Sequence, residues 1–144
     1  HGATDLGAGI SHLLRPPRRR GLAVVVSDFL AAPGWERSLR MVAARHQAMA
    51  VEVLDPRELE LPNVGFLTLV DPETGARREV QTAKAGLRAR YAEAAAAERA
   101  EIGAAIRRAG AHHLVLRTDR DWMRDIVEFV VSSRRHRHAK AVAR

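Results

Sequence analysis

The sequence predicts an α/β fold built on a parallel sheet, and three observations predict it. Three short apolar runs, at residues 22–26, 48–54 and 113–117, are each bounded by turn-forming residues. Segments with helical periodicity alternate with these runs. Each run is followed by a carboxylate, at Asp28, Asp55 and Asp119. Apolar runs without polar alternation suit strands covered on both faces. Strands that alternate with helices imply right-handed crossovers onto one parallel sheet.

The elements follow in chain order. Residues 4–14 read as a helix capped by Thr4 or Asp5, with Leu6, Ile10, Leu13 and Leu14 on one face and Pro16-Pro17 as its stop. The first strand runs from Leu22 to Val26 and leads into Ser27 and Asp28. Ala31-Ala32-Pro33-Gly34 then turns the chain into a helix over 35–45, with Trp35, Leu39, Val42 and Ala43 on one side. The second strand, 48–54, is mostly apolar and ends at Asp55, where Pro56 blocks its continuation. Residues 65–71 and 76–82 flank Pro72-Glu73-Thr74-Gly75 and read as a β-hairpin, with Gly75 available for a left-handed position. A long Ala-rich helix covers 84–109 and stops at Gly110. Tyr91, Glu98 and Ile102 share one stripe, which puts Glu98 at the edge of its buried face. The third strand, 113–117, precedes Thr118-x-x-Asp121, which resembles a capping box for a last helix over 121–133. Trp122, Met123, Ile126, Val127, Phe129 and Val130 make that helix largely apolar, so it is expected to pack tightly on the sheet.

The chain has 144 residues, enough for one domain with its own core. We divide it into a folded part over 1–133 and a flexible basic tail over 134–144. The net charge of +7 is localised. Arg15, Arg18, Arg19 and Arg20 fall in one acid-free run, and Arg134, Arg135, Arg137, Lys140 and Arg144 in another, which leaves the rest slightly acidic. The runs carry neither interleaved aromatics nor a nucleic-acid recognition motif, so they read first as solvated basic ends. Contact of the tail with nucleic acid or anionic lipid is the alternative. There is no cysteine, which excludes disulfides and thiolate metal sites and suits a reducing, cytoplasmic setting. No stretch approaches the roughly 20 apolar residues of a membrane-spanning helix. The opening His1-Gly2 sits inside a motif, so the chain reads as a segment of a longer protein, and attachment of that parent to a membrane stays open.

Ligands of open α/β sheets bind beyond the carboxyl ends of the strands. Asp28, Asp55 and Asp119 are therefore the convergent polar constellation of this sequence. Such an edge, with the hydroxyls of Ser27 and Thr4 nearby, suits a hard cation such as Mg²⁺. The plainer reading is that each acid caps the turn or helix that follows it. The capping box favours this for Asp119, Asp55 is balanced between the two, and Asp28 leans towards a metal or ligand role. Clustered together, the three acids would suit Mg²⁺-dependent phosphoryl or phosphodiester hydrolysis. Two-metal chemistry needs carboxylates around ions about 4 Å apart, a severe demand on three separate strands. Other motifs fall away. Gly7-Ala8-Gly9 does not follow a strand and lacks a third glycine. His112 and His113 point to opposite strand faces and do not share an ion. Ser11 and Ser27 have no His–Asp partners in the sequence. Asp28 lacks the acidic pair and the lysine of a receiver-type phospho-acceptor site.

Several blocks carry a family resemblance. They are Arg19-Arg20-Gly21-Leu22-Ala23-Val24-Val25-Val26-Ser27-Asp28-Phe29-Leu30, then Arg45-His46, Asp55-Pro56-Arg57-Glu58, Leu61-Pro62-x-x-Gly65, Asp71-Pro72-Glu73-Thr74-Gly75 and Thr118-Asp119-x-x-Trp122. In this order they resemble the bacterial proteins called domain of unknown function 58, over nearly the whole chain. The resemblance implies a three-layer, Rossmann-like von Willebrand factor A-type domain, of which this chain is the C-terminal half with an inserted β-hairpin. It implies a non-enzymatic adaptor role beside MoxR-type AAA+ ATPases. The metal-ion-dependent adhesion site of von Willebrand A domains takes a D-x-S-x-S motif, a Thr and an Asp. By resemblance Thr4 matches that Thr and Asp28 that Asp. The D-x-S-x-S motif is absent from this chain, so the implied Mg²⁺ site is partial and weak. The central strand that carries that motif is missing with it. The strand from Leu22 to Val26 then becomes an apolar edge that seeks another strand, so a symmetric homodimer through that edge is expected.

Overall fold

The computed structural model describes residues 5–15, 19–70 and 75–142, with backbone only from 133 onward. The elements are α1 (Leu6–Ser11), a 3₁₀ turn (His12–Leu14), β1 (Leu22–Ser27), α2 (Trp35–Arg45), β2 (Gln47–Leu54), a 3₁₀ turn (Pro56–Glu58), β3 (Phe66–Val70), β4 (Arg77–Gln81), α3 (Ala85–Arg108), β5 (His112–Arg117) and α4 (Trp122–Val142). Three strands form a parallel sheet in the order β1-β2-β5. β3 and β4 form a separate antiparallel hairpin. Gly75 has φ 71°, the left-handed position expected of it. Residues 71–74 of the hairpin turn lie outside the described residues.

Local chemistry explains where the elements start and stop. Asp5 caps α1, its Oδ1 accepting the Ala8 N–H at 2.8 Å. Thr4, the other candidate cap, lies outside the described residues. α3 ends in a Schellman arrangement: the Gly110 N–H donates to Arg107 O at 3.0 Å and the Ala111 N–H to Ile106 O at 3.3 Å. Gly110 has φ 83°, a conformation that side chains beyond glycine rarely adopt. The last helix departs from expectation at both ends. Asp121 is itself the cap, its Oδ1 accepting the Met123 N–H at 3.0 Å, and the Thr118 N–H instead donates to Leu54 O. The backbone stays helical to Val142, past the Ser133 at which the periodicity ends it.

The two faces of the sheet are unequal. Ala23, Val25, Ala48 and Ala50 pack on Ile10 of α1, on Trp35, Leu39 and Val42 of α2, and on Ile102, Ala105 and Ile106 of α3. The small side chains of the sheet let the helices approach closely, and this face is complete. On the opposite face Val51 and Leu114 are buried, and the ring of Phe129 in α4 stands edge-on to His112 at 6.4 Å. A single helix about 10 Å wide covers roughly two strands spaced ~4.8 Å apart. β1, at the far edge, is left open: Leu22, Val24 and Val26 are 60%, 43% and 63% exposed. The tight packing expected of α4 is not found either. Trp122, Met123, Val127 and Val130 are exposed, because α4 meets the sheet chiefly at β5.

Phe29 joins the loop after β1 to this core. Its ring is buried at 5.1 Å from that of Trp35, while its backbone takes φ 58°. Burial of the ring holds the residue in a left-handed conformation that costs about 1–2 kcal/mol. Phe29→Ala should lower stability in urea denaturation by about 3–5 kcal/mol. Phe29→Gly should be less damaging than Phe29→Ala by roughly 1 kcal/mol, since glycine relieves the positive φ. An alanine variant as stable as the glycine one would show that the backbone stores no strain there.

Candidate functional site

The parallel topology brings the carboxyl ends of β1, β2 and β5 to one edge, as the strand-end acids predict. The acids themselves are engaged separately. Asp28 is exposed and shapes its own turn, with Oδ1 accepting from the Leu30 N–H at 3.1 Å and from Ser27 Oγ at 3.4 Å. Ser27 Oγ accepts the Phe29 N–H at 3.1 Å. Among the described residues Asp28 Oδ2 has no hydrogen-bond donor. Asp55 caps the 3₁₀ turn, accepting the Arg57 N–H at 3.0 Å. Asp119 does not cap α4. It takes a two-pronged bond from Arg117, with Nε and Nη2 each at 2.9 Å. That hydrogen bonding raises the Arg117 guanidinium above its ordinary pKa and lowers the Asp119 carboxyl below its own. Among the described residues no three acids or histidines gather as a metal cluster would require.

The polar centre of the edge is instead a residue that sequence reasoning passed over. Glu52 sits near the end of the central strand β2 and is 2% exposed. Its Oε2 accepts from His113 Nε2 of β5 at 2.7 Å, and its Oε1 from Arg99 Nη1 of α3 at 3.2 Å. Arg99 reaches further: Nη1 donates to the Asp28 carbonyl at 2.8 Å, and Nη2 to Glu58 Oε2 at 2.7 Å. Tyr91 adds a bond from its hydroxyl to the Glu58 carbonyl at 3.1 Å. One guanidinium thus ties α3 to the ends of β1 and β2 and to the 3₁₀ turn, and Glu52 adds β5. His112 and His113 do point to opposite faces, one onto Phe129 and the other onto Glu52. Gly103 makes room for His113, since a Cβ there would stand 3.2 Å from the ring. Glu98, placed by the stripe at the edge of the buried face, is exposed, and its neighbour Arg99 turns inward instead. The sequence signal for Glu52 was present: a lone carboxylate inside an apolar strand needs a buried partner.

Both carboxylate oxygens of Glu52 are satisfied, and no buried side-chain nitrogen or oxygen among the described residues lacks a partner. The chemistry of such a cluster is that of a strut. Outside it lies a cavity of about 500 Å³ bordered by Leu30, Glu58, Tyr91, Glu98 and Arg99. Leu30, Glu58 and Glu98 face solvent around this cavity, and Asp28 is exposed next to Leu30 in the chain.

A family model described as "Protein of unknown function DUF58" matches residues 1–101. An uncharacterized protein of Mycobacterium avium is 55% identical over 131 residues, covering 91% of this chain and 77% of its own length. Uncharacterized proteins of Mycobacterium bovis and Mycobacterium tuberculosis are 55% identical over the same length, and the chain spans 41% of each. No solved structure matches significantly. Among the described residues no helix is long and apolar enough to cross a membrane.

Two predictions follow from the geometry. Arg99→Ala strands the buried Glu52 with one partner and should lower stability by about 3–5 kcal/mol in urea denaturation. Glu58→Ala, at the exposed end of the same chain of contacts, should cost no more than about 1 kcal/mol. Equal losses would contradict the central role of Glu52. The Asp119 carboxyl should titrate by NMR at a lower pH than an ordinary aspartate, and Arg117→Ala should restore it. The sign follows from the lowered pKa. Its small stabilisation is complete above the ordinary aspartate pKa and is lost as pH falls through the folded-state value.

Proposed function

Because the chain belongs to the DUF58 family, we propose that it is a non-enzymatic protein-interaction module whose contact edge is the carboxyl end of the parallel sheet, centred on Asp28. One observation carries this reading. Asp28 stands exposed on a turn that is braced from behind by Arg99, with Oδ1 committed to the turn and Oδ2 uncommitted among the described residues. An outward carboxylate on a turn braced by Arg99 is placed for contact with a partner.

The donor chemistry fits the Mg²⁺ of a von Willebrand-like adhesion site, since a hard cation prefers carboxylate oxygen. Asp28 would be this chain's ligand. Thr4, its expected companion, lies outside the described residues, and the chain contributes one part of such a site. The ion, when bound, supplies an open coordination position for a partner's carboxylate. The partner we propose is a MoxR-type AAA+ ATPase. Ser27, Asp55 and Asp119 border the same edge and define its rim. β1 is an edge strand of the sheet with an exposed apolar face, and we place the homodimer contact there, along Leu22 to Val26.

Capture of the purified ATPase by the longer protein should require Mg²⁺, vanish in EDTA and vanish on Asp28→Ala. Capture that survives both changes defeats the proposal. For the β1 contact, light scattering should show association that rises with concentration and is weakened by the paired Val24→Glu, Val26→Glu substitution. A monomer at every concentration would exclude it.

A further inference from the structure

The loop after β1 and the outer side of α3 border a groove made of two adjoining cavities. One is the cavity of about 500 Å³ beside Tyr91 and Glu58. The other is a smaller cavity of about 200 Å³ floored by Phe29, Trp35 and Ile102. Leu30 and Glu98 border both. The walls are apolar and small, with Leu30 exposed and Ala94 and Ala95 set back along the helix. The lip is acidic. Glu36, Glu98 and Glu101 line it with Glu58, and Arg99, the cation nearest the larger cavity, is already held by Glu52, Glu58 and the Asp28 carbonyl. Glu98 has no ion pair among the described residues. Arg108 also lines the smaller cavity, where it meets Glu101 at 3.7 Å on an exposed surface and leaves the acids in excess.

The charge complement of this groove lies in the same sequence. Residues 130–144 open with Val130-Val131, both exposed, and continue through Arg134, Arg135, Arg137, Lys140 and Arg144 without one acid. An apolar start followed by a basic run suits a groove with apolar walls and an acidic lip. α4 packs on the His112 face of the sheet, whereas α3 and the groove lie on the His113 face. We propose that the groove between the β1–α2 loop and α3 seats the basic segment 130–144 of a second copy of the chain. The contact is head-to-tail, joining different surfaces of the two copies, and is separate from the β1 edge. It depends on neither Mg²⁺ nor the ATPase.

The test uses the chain of 144 residues and a fluorescein-labelled peptide of residues 130–144, followed by fluorescence anisotropy. Saturable binding is expected. Glu98→Arg, a substitution at an exposed position, should weaken it about tenfold. Raising salt from about 0.1 to about 1 M, which shortens the screening length from roughly 10 to 3 Å, should weaken it as well. A scrambled peptide of the same composition should bind more weakly. Three results overturn the proposal: no saturable binding, binding that Glu98→Arg leaves unchanged, or equal binding of the scrambled peptide. In sedimentation at low salt, Glu98→Arg should reduce self-association in a chain that already carries Val24→Glu and Val26→Glu. No further reduction also counts against it. Loss of the ATPase interaction leaves all these readouts untouched, so the two proposals fail separately.

Discussion

A buried carboxylate on the central strand is the constraint that the rest of this structure answers. Taking an ionised Glu52 out of water costs several kcal/mol unless its oxygens are met by matched donors. His113 meets one oxygen and Arg99 the other. Each donor comes from a different element, so satisfying one side chain fixes the seat of β5 and the rotation of α3 about its axis. Arg99 then has donors to spare, and they reach Glu58 and the Asp28 carbonyl. Apolar contacts would hold α3 against the sheet at many rotations of similar energy. The polar cluster selects one.

The place in the fold where α/β proteins usually hold a ligand is thus filled by a brace. What remains free is the rim: Asp28 on its turn, Leu30 beside it, and the acids of α3. A rim carried on a rigid base suits recognition, because a contact surface that is already ordered loses little entropy on binding. Phe29 belongs to the same logic. Its buried ring and positive φ turn the chain so that Asp28 and Leu30, on either side of it, both face out.

Much of the fold was legible in the sequence because its signals are local. Apolar runs marked β1, β2 and β5, and Gly110 marked the end of α3. The strand ends were legible too, and with them the edge where Asp28, Asp55 and Asp119 lie. Their roles were not. Arg117 follows its strand pattern with nothing to announce that it would claim Asp119, because that pairing depends on side-chain geometry after the strand ends. Glu98 and Arg99 differ by one position on a helix, about 100° of rotation. An Ala-rich helix has too weak an apolar stripe to fix that angle, and the carboxylate of Glu52, distant in sequence, decides it. The exposure of α4 was hidden for another reason. Its residues are apolar enough for a buried helix, but how much of it is covered depends on how many strands lie beneath it.

That last point separates the two sides of the sheet in kind. The side packed by α1, α2 and α3 is closed, and the groove on it has an acidic lip. The α4 side presents two sets of exposed apolar residues, Leu22, Val24 and Val26 on β1 and Trp122, Met123 and Val127 on α4. Exposed apolar surface of this sort is what the proposed β1 contact would bury. Contacts made there gain from burial and are insensitive to salt, whereas contacts at the acidic groove are electrostatic and screened. The two surfaces therefore respond to different conditions. An apolar cover on the β1 side would persist as ionic strength rises, while anything seated at Glu98 would be released.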